Sequence, residues 1–405
     1  MHGALSLLRR NPDFRNLYLA QVISYGGDWF LIVALFGMVL ELTSSPVMVA
    51  LVVVAQLLPY VVLSPLTGTL VDRIDRKRMM VVADLARVAL CLGFLLVNGR
   101  DDVWLIFVLQ VGLATFGSVF EPASAAAVPN LVEREDLPTA NALTGSAWGT
   151  MLAVGSALGG LVATLLGRDA AFVGDALSFA LSAAFLLRIH RRLSEDVPTE
   201  HPGLVAATAE AIRYSRQDHR VLALLAVKGG FGVAGGVISL LPVFATEVFR
   251  EGDAGIGILM AARGIGALVG PFLARAIAGD TERGLFTGIG LALASFGVFY
   301  AFFPLMPTLL LAAPFATGAH LGGGAQWMLS TYGLQRIVPD RLRGRIFAFD
   351  FAMVTLTIAG SNLLAGWTAR RFGPDVAMFG LALVALAYAA VWWTSTRRVR
   401  ASLPA

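Results

Sequence analysis

Two carboxylates stand inside long apolar runs. Asp28, in "SYGGDWF", is the one charged side chain between residues 17 and 40, and Glu121, in "FEPAS", is the one between 103 and 128. A carboxylate in hydrocarbon is costly unless it is paired, hydrated or protonated, so such a residue points to function. One that binds a proton and gives it up again couples proton movement to another event. Asp28 comes about twelve residues into its run, which at roughly 1.5 Å per residue puts it near mid-bilayer. Gly26 and Gly27 leave room beside it for water or a neighbouring helix. Asp28 is therefore the first candidate for proton coupling. Glu121 is second, nearer the end of its run and next to Pro122, where a structural role also fits.

Other polar side chains recur in the apolar runs. Lys228, His320, Gln326 and Trp327, with Tyr25 and Trp29, are candidates for the lining of a substrate cavity. Aromatic rings there suit amphiphilic or cationic compounds. Each has a plainer reading: Lys228 snorkels to a helix end, His320 is a satisfied buried histidine, Trp29 faces lipid. Asp84 and Arg87 are spaced i, i+3 and are expected to neutralise each other. Asp175, Arg263 and Asp350 lie in further apolar runs.

Several chemistries are excluded. Cys91 is the single cysteine, so the chain makes no internal disulfide and no cysteine metal site. The five histidines form no H-E-x-x-H, and no G-x-x-x-x-G-K-[ST] occurs. An intramembrane enzyme, an ATP-driven pump, a cofactor and a metal are accordingly not expected. A receptor or scaffold remains an alternative, but charges buried in both halves favour a moving, polar cavity.

The elements that must hold these residues follow from composition. Of 405 residues, 57% are hydrophobic and 14% charged, against roughly a quarter charged in soluble proteins. Twelve apolar runs are long enough to span a bilayer: 17–40, 47–71, 79–98, 103–128, 139–166 and 170–188, then 221–246, 254–275, 284–303, 307–334, 346–369 and 376–396. The expected fold is an all-α polytopic membrane protein with twelve transmembrane helices in two six-helix, pseudo-symmetric halves. The halves are 1–188 and 221–405, joined by a polar linker, 189–220, that holds a short amphipathic helix, "LVAATAEAIRYSR". The glycine-rich "GSALGGLVA" (155–163) has a counterpart in "GSNLLAGWTA" (360–369). With the N-terminus inside, 23 of the 31 Lys and Arg fall in inside segments and five in outside loops, which puts both termini in the cytoplasm. The formal charge of +4 resides at helix ends and implies no nucleic-acid partner.

The loop "GTLVDRIDRKRMM" (68–80), between the second and third runs, identifies the architecture. Its pattern Gly68-x-Leu70-x-Asp72-Arg73-x-x-Arg76-Lys77 resembles the signature loop of the major facilitator superfamily, with Asp75 where that family usually has Gly. "GSALGG" resembles the family's antiporter motif of the fifth helix, through Gly155, Gly159 and Gly160, with Ser156 where Pro is usual. "FEPASAAAVPNLVEREDLPTANAL" (120–143) and "RLRGRIFAF" (341–349) resemble the subgroup of bacterial macrolide-efflux and enterobactin-export proteins.

The resemblance implies a central cavity lined by the first, fourth, seventh and tenth helices. It also implies a cytoplasmic gate built from Gly68, Asp72, Arg73 and Arg76 against the region of Arg345 and Asp350, with Arg76, Lys77 and Arg78 facing anionic headgroups. The function expected is a secondary exporter of small amphiphilic compounds, coupled to proton entry, working by alternating access as a monomer in the bacterial inner membrane. A siderophore or lysophospholipid exporter is the alternative. The expected partners are a small-molecule substrate, the proton and the lipid bilayer.

Overall fold

The computed structural model describes residues 2–193, 213–215, 217–279 and 281–403. Of the expected linker helix, residues 204–212 and 216 lie outside the described residues. In order, the helices are α1 His2–Arg10, α2 Pro12–Thr43, α3 Pro46–Arg73, α4 Arg76–Gly93, α5 Val103–Leu131, α6 Leu137–Leu166 and α7 Arg168–Leu187. Next come α8 His219–Ala234, α9 Val237–Val243, α10 Gly252–Ala278, α11 Glu282–Phe302, α12 Leu309–Ile337, α13 Asp340–Phe372, α14 Pro374–Ser395 and α15 Arg397–Ser402. Among the described residues, eleven helical segments are long and apolar enough to cross a membrane, α8 and α9 counting as one. The twelfth is α12, 29 residues long but diluted by Thr317, His320, Gln326, Ser330 and Thr331.

Local chemistry sets the helix ends. Asn11 caps α2 by accepting from the Phe14 amide at 2.9 Å, and Pro12 supplies a first-turn residue that needs no amide partner. Asp75 caps α4 by accepting from the Arg78 amide at 2.8 Å. The residue that departs from the family loop is thus a helix N-cap. Arg76 and Lys77 do not face headgroups as expected. The Arg76 guanidinium donates to the carbonyls of Ala126 and Leu193 at 2.9 and 2.8 Å. Lys77 donates to those of Leu187 and Ile189 at 3.0 and 2.7 Å. The Lys77 acceptors lie at the C-terminal end of α7, where freed carbonyls carry partial negative charge and attract a nearby cation.

The chain divides into two compact units. Unit 1 is Met1–Ser44, Ala55–Glu200 and Gly252–Ala261; unit 2 is Ser45–Val54, His201–Glu251 and Ala262–Ala405. Chain order is interrupted twice, and glycines explain both interruptions. In unit 1, a Cβ on Gly160 of α6 would come 2.8 Å from the Gly257 Cα at the start of α10. In unit 2, a Cβ on Gly366 of α13 would come 2.9 Å from the Pro46 carbonyl at the start of α3. The two glycine-rich segments paired by sequence therefore do the same job: each admits the first turns of a helix from the other half of the chain, backbone against backbone.

Unit 2 contains a broken helix. Between α8 and α9 the chain passes Gly235 and Gly236, and α13 satisfies the opened backbone. The Gly236 amide donates to the Ser361 hydroxyl at 2.9 Å and the Ser239 amide to the Asn362 side-chain oxygen at 3.0 Å. Irregular backbone is tolerated at membrane depth when protein groups replace the missing partners. On the other side of α8, α14 holds it through Tyr388, donating to the Ala226 carbonyl at 2.6 Å, and Trp392, donating to that of Ala223 at 2.8 Å.

Candidate functional site

Arg87 organises the charges of unit 1. Its guanidinium lies between the rings of Phe120 and Phe179, 4.7 and 4.1 Å from their centroids. It makes an ion pair with Asp84, one turn away on α4. It donates to the Ser24 hydroxyl at 3.2 Å and lies 3.9 Å from the Asp28 carboxylate. Ser24 and Asp28 are spaced i, i+4 on α2 and so present one face to α4. Asp84 also accepts from Ser182 of α7 at 2.6 Å. Asp28 is thus not the lone carboxylate that its span suggested: its partner comes from another helix, and Arg87 is not used up by Asp84.

Glycines bring this face together. A Cβ on Gly27 would fall 2.0 Å from an Asp175 carboxylate oxygen and 2.1 Å from the Ser178 hydroxyl. That residue is what lets α7 close on α2. On the other side, a Cβ on Gly155 would meet the Gly26 carbonyl at 2.6 Å, and one on Gly159 the Phe30 carbonyl at 2.4 Å. The antiporter-like motif therefore clamps the two turns of α2 that carry Asp28. Trp29 is buried in the same contact, edge-on to Trp148 at 5.5 Å, and does not face lipid.

Asp175, which span number placed away from the cavity ring, is buried beside this cluster. It accepts from Ser178 at 3.0 Å and from Cys91 at 3.2 Å. Glu121 interacts electrostatically with Asp28 and Arg87, and Tyr25 and Tyr60 share the same field. The site so assembled has Asp28, Asp84, Glu121 and Asp175 against the single guanidinium of Arg87. Buried carboxylates in excess of cations are relieved by proton uptake rather than carried as bare charge. Their exposure differs. The Arg87 and Asp84 side chains are 2% and 0% exposed, whereas that of Asp28 is 38% exposed. Of the four carboxylates, Asp84 and Asp175 are buried and Asp28 and Glu121 are partly exposed. Tyr60 and the reach of Arg87 were missed by sequence reasoning; the i, i+4 pair Ser24 and Asp28 was the available signal.

In unit 2, Lys228 does not snorkel. It is buried in an ion pair with Asp350 of α13 and lies 4.7 Å from the Trp327 ring centroid. Asp350, expected at the gate, is the partner of Lys228 of α8. His320 is buried, 3.0 Å from the Tyr300 hydroxyl, with Phe296 edge-on at 5.5 Å. Gln326 is buried and neither atom of its amide has a hydrogen-bond partner. The remaining gate residues, Gly68, Asp72 and Arg73 at the end of α3 and Arg345 in α13, have helical backbones, and their side chains lie outside the described residues.

At one end of unit 1, a cavity of about 240 Å³ is bordered by Arg10, Asn11, Asp13, Glu133, Asp136 and Arg191. Arg10 pairs with Asp136, and Asp13 accepts from the His190 and Arg191 amides at 3.0 and 3.3 Å. No group of His, Cys, Asp and Glu suited to a metal occurs among the described residues.

Comparison with known proteins places this geometry. The family described as transmembrane secretion effector matches residues 3–402. The Enterobactin exporter EntS of Citrobacter koseri is 30% identical over 404 residues, covering 94% of this chain and 92% of that protein. The Uncharacterized MFS-type transporter YfiS of Bacillus subtilis is 26% identical over 386 residues, covering 89% and 88%. Among solved structures, a bacterial homolog of the human lysosomal transporter Spinster, inward-facing and unoccupied, superposes with a TM-score of 0.77 at 14% identity over 97% of this chain and 98% of that one. A POT family transporter in complex with 5-aminolevulinic acid gives 0.78 at 11% identity over 96% and 97%. Both structural likenesses bear on the fold alone.

Proposed function

The chain belongs to the transmembrane secretion effector family of major facilitator transporters, and from that premise we propose that it is a proton-coupled exporter of small amphiphilic compounds. It is a multi-pass membrane transporter, not an enzyme. The observation that carries the coupling is the surplus of carboxylate over cation in unit 1, with Asp28 accessible and 3.9 Å from Arg87. Asp28 takes a proton from one side of the membrane. When it is ionised again it is stabilised by Arg87, which releases the proton without leaving a bare charge. Glu121, in the same field, is the second proton site.

The remaining parts of the reading are the expectations from sequence. By the family resemblance Asp72 is a gate residue, both termini face the cytoplasm of a bacterial inner membrane because of the Lys and Arg bias, and the monomer is the working unit. The test is transport by the purified protein in proteoliposomes with an imposed pH gradient, over a panel of amphiphiles. Asp28→Asn should abolish uphill, pH-driven export while downhill exchange continues. Full pH-driven export by a well-folded Asp28→Asn protein overturns the assignment of Asp28.

A second reading, export of a siderophore, is favoured by one observation: the 30% identity to an enterobactin exporter along nearly the whole chain. The same assay with a siderophore in the panel separates the two.

A further inference from the structure

We propose that Lys228 is the receptor for an anionic group of the cargo, and that Asp350 is its displaceable counter-ion, taking up a proton as the anion arrives. The proposal rests on the transport reading and names a substrate class for it: an aromatic or apolar body bearing a carboxylate or similar anion.

The argument starts from what the pair leaves undone. Lys228 and Asp350 are 5% and 1% exposed. One Asp350 oxygen holds the ammonium, and the other, equally buried, has no hydrogen-bond partner. A purely structural pair normally satisfies both acceptor oxygens, because a buried unmet acceptor costs free energy. Here the carboxylate is only half satisfied, so its hold on Lys228 is open to competition. The ammonium also lies over Trp327, 4.7 Å from the ring centroid. Trp327 is 37% exposed, and Phe231 stands edge-on to it at 6.1 Å. A ring stacked on the open part of Trp327 would bring an attached anion towards the ammonium, the arrangement that an anionic amphiphile requires.

The exchange balances. Before it, Lys228 carries one positive charge and Asp350 one negative. The incoming anion takes the place of the Asp350 oxygen at Lys228. Asp350 binds one proton from water and becomes neutral, since a bare carboxylate at that depth is costly. The net charge of the site is unchanged. No covalent bond forms or breaks except the O–H of Asp350. Lys228 is the charged group in electrostatic reach of Asp350 among the described residues. From α14, the Tyr388 hydroxyl is committed to the Ala226 carbonyl.

The test uses 1-naphthoate and its uncharged amide as probes on the purified, detergent-solubilised full chain. Binding is followed by calorimetry, and proton uptake by an indicator dye in weak buffer near pH 7. The wild type should bind naphthoate and take up close to one proton per molecule bound. Lys228→Gln should lose naphthoate affinity at least about tenfold, the scale of a lost buried charge partner, and keep its affinity for the amide. Asp350→Asn should bind naphthoate with no proton uptake. The double variant Lys228→Gln/Asp350→Asn removes both charges, leaves neither stranded and checks folding by its melting temperature. Three results overturn the proposal: no naphthoate binding by the wild type, unchanged naphthoate affinity in a folded Lys228→Gln or double variant, or binding by the wild type without proton uptake. Naphthoate binding and its proton uptake are read in detergent with no pH gradient imposed, so failure of pH-driven transport and failure of this site are read separately.

Discussion

Arg87 of α4 lies 3.9 Å from Asp28 of α2 while bonded directly to Asp84 on its own helix. One guanidinium therefore serves two carboxylates of unequal exposure. Asp84 holds it in place, and Asp28 is the one free to change state. Arg87→Gln should strand several buried carboxylates and cost about 3–5 kcal/mol, the scale for breaking a buried pair. Asp28→Asn should cost much less, because its partner is farther away and its side chain is 38% exposed. Melting of the two variants in detergent checks the order. Equal losses would make Asp28 a structural member of the pair.

Gly159 should be intolerant of any side chain. A Cβ there would stand 2.4 Å from the Phe30 carbonyl oxygen and 2.9 Å from its Cα. Both are backbone atoms of the α2 turn beside Asp28 and cannot swing aside. Gly159→Ala is expected to destabilise by about 1–3 kcal/mol, as overpacking does, and to impair transport. Gly145, on the same helix, has nothing within 4 Å of its missing Cβ. Gly145→Ala is the control and should melt like the wild type.

Arg168, at the start of α7, is shared by two acids in unit 1. It donates to Asp253 of α10 at 2.9 Å and also pairs with Glu41 of α2. Asp253 is 10% exposed and Glu41 is 69% exposed. Double-mutant cycles should therefore differ. Coupling of Arg168 to Asp253 is expected at about 1–3 kcal/mol, and coupling to Glu41 under about 1 kcal/mol because solvent screens it. A larger coupling to Glu41 would reverse the assignment of which pair ties the start of α10 to unit 1.

Asp218 caps α8 from outside the membrane. Burial pushes its carboxyl up, but hydrogen bonds from the side chain and backbone of Arg220, together with the charge of Arg220, hold it below its ordinary value of 3.8. A carboxylate depressed in the folded state adds stability above its unfolded pKa, and the contribution is lost as pH falls through the folded value. Asp218→Asn should thus lower stability by about 1 kcal/mol at neutral pH, and the difference should shrink as pH falls below 3.8 and vanish once pH is under the lower folded value. A difference that persists in acid would show the carboxylate's charge to be irrelevant.

Much of this protein was legible without coordinates. Apolar length gives the spans, since a bilayer accepts only helices of about twenty residues here. The run of charge from Asp72 to Arg78 marks a loop between them. Asp28 and Glu121 stand out because each is alone in its span. The correspondence of "GSALGG" and "GSNLLAG" was visible as composition. Partners were a different matter. That Arg87 reaches past Asp84 to Asp28, that Lys228 meets Asp350 across 122 positions, and that Arg76 and Lys77 cap carbonyls instead of facing lipid all depend on which helices lie side by side. Spacing along one helix constrains one face of that helix. It does not say which face of another helix is brought against it. That choice was made by glycines at points of close contact, Gly27 against side chains and Gly155, Gly159, Gly160 and Gly366 against backbone, whose meaning appears only when the atoms that a Cβ there would meet are known.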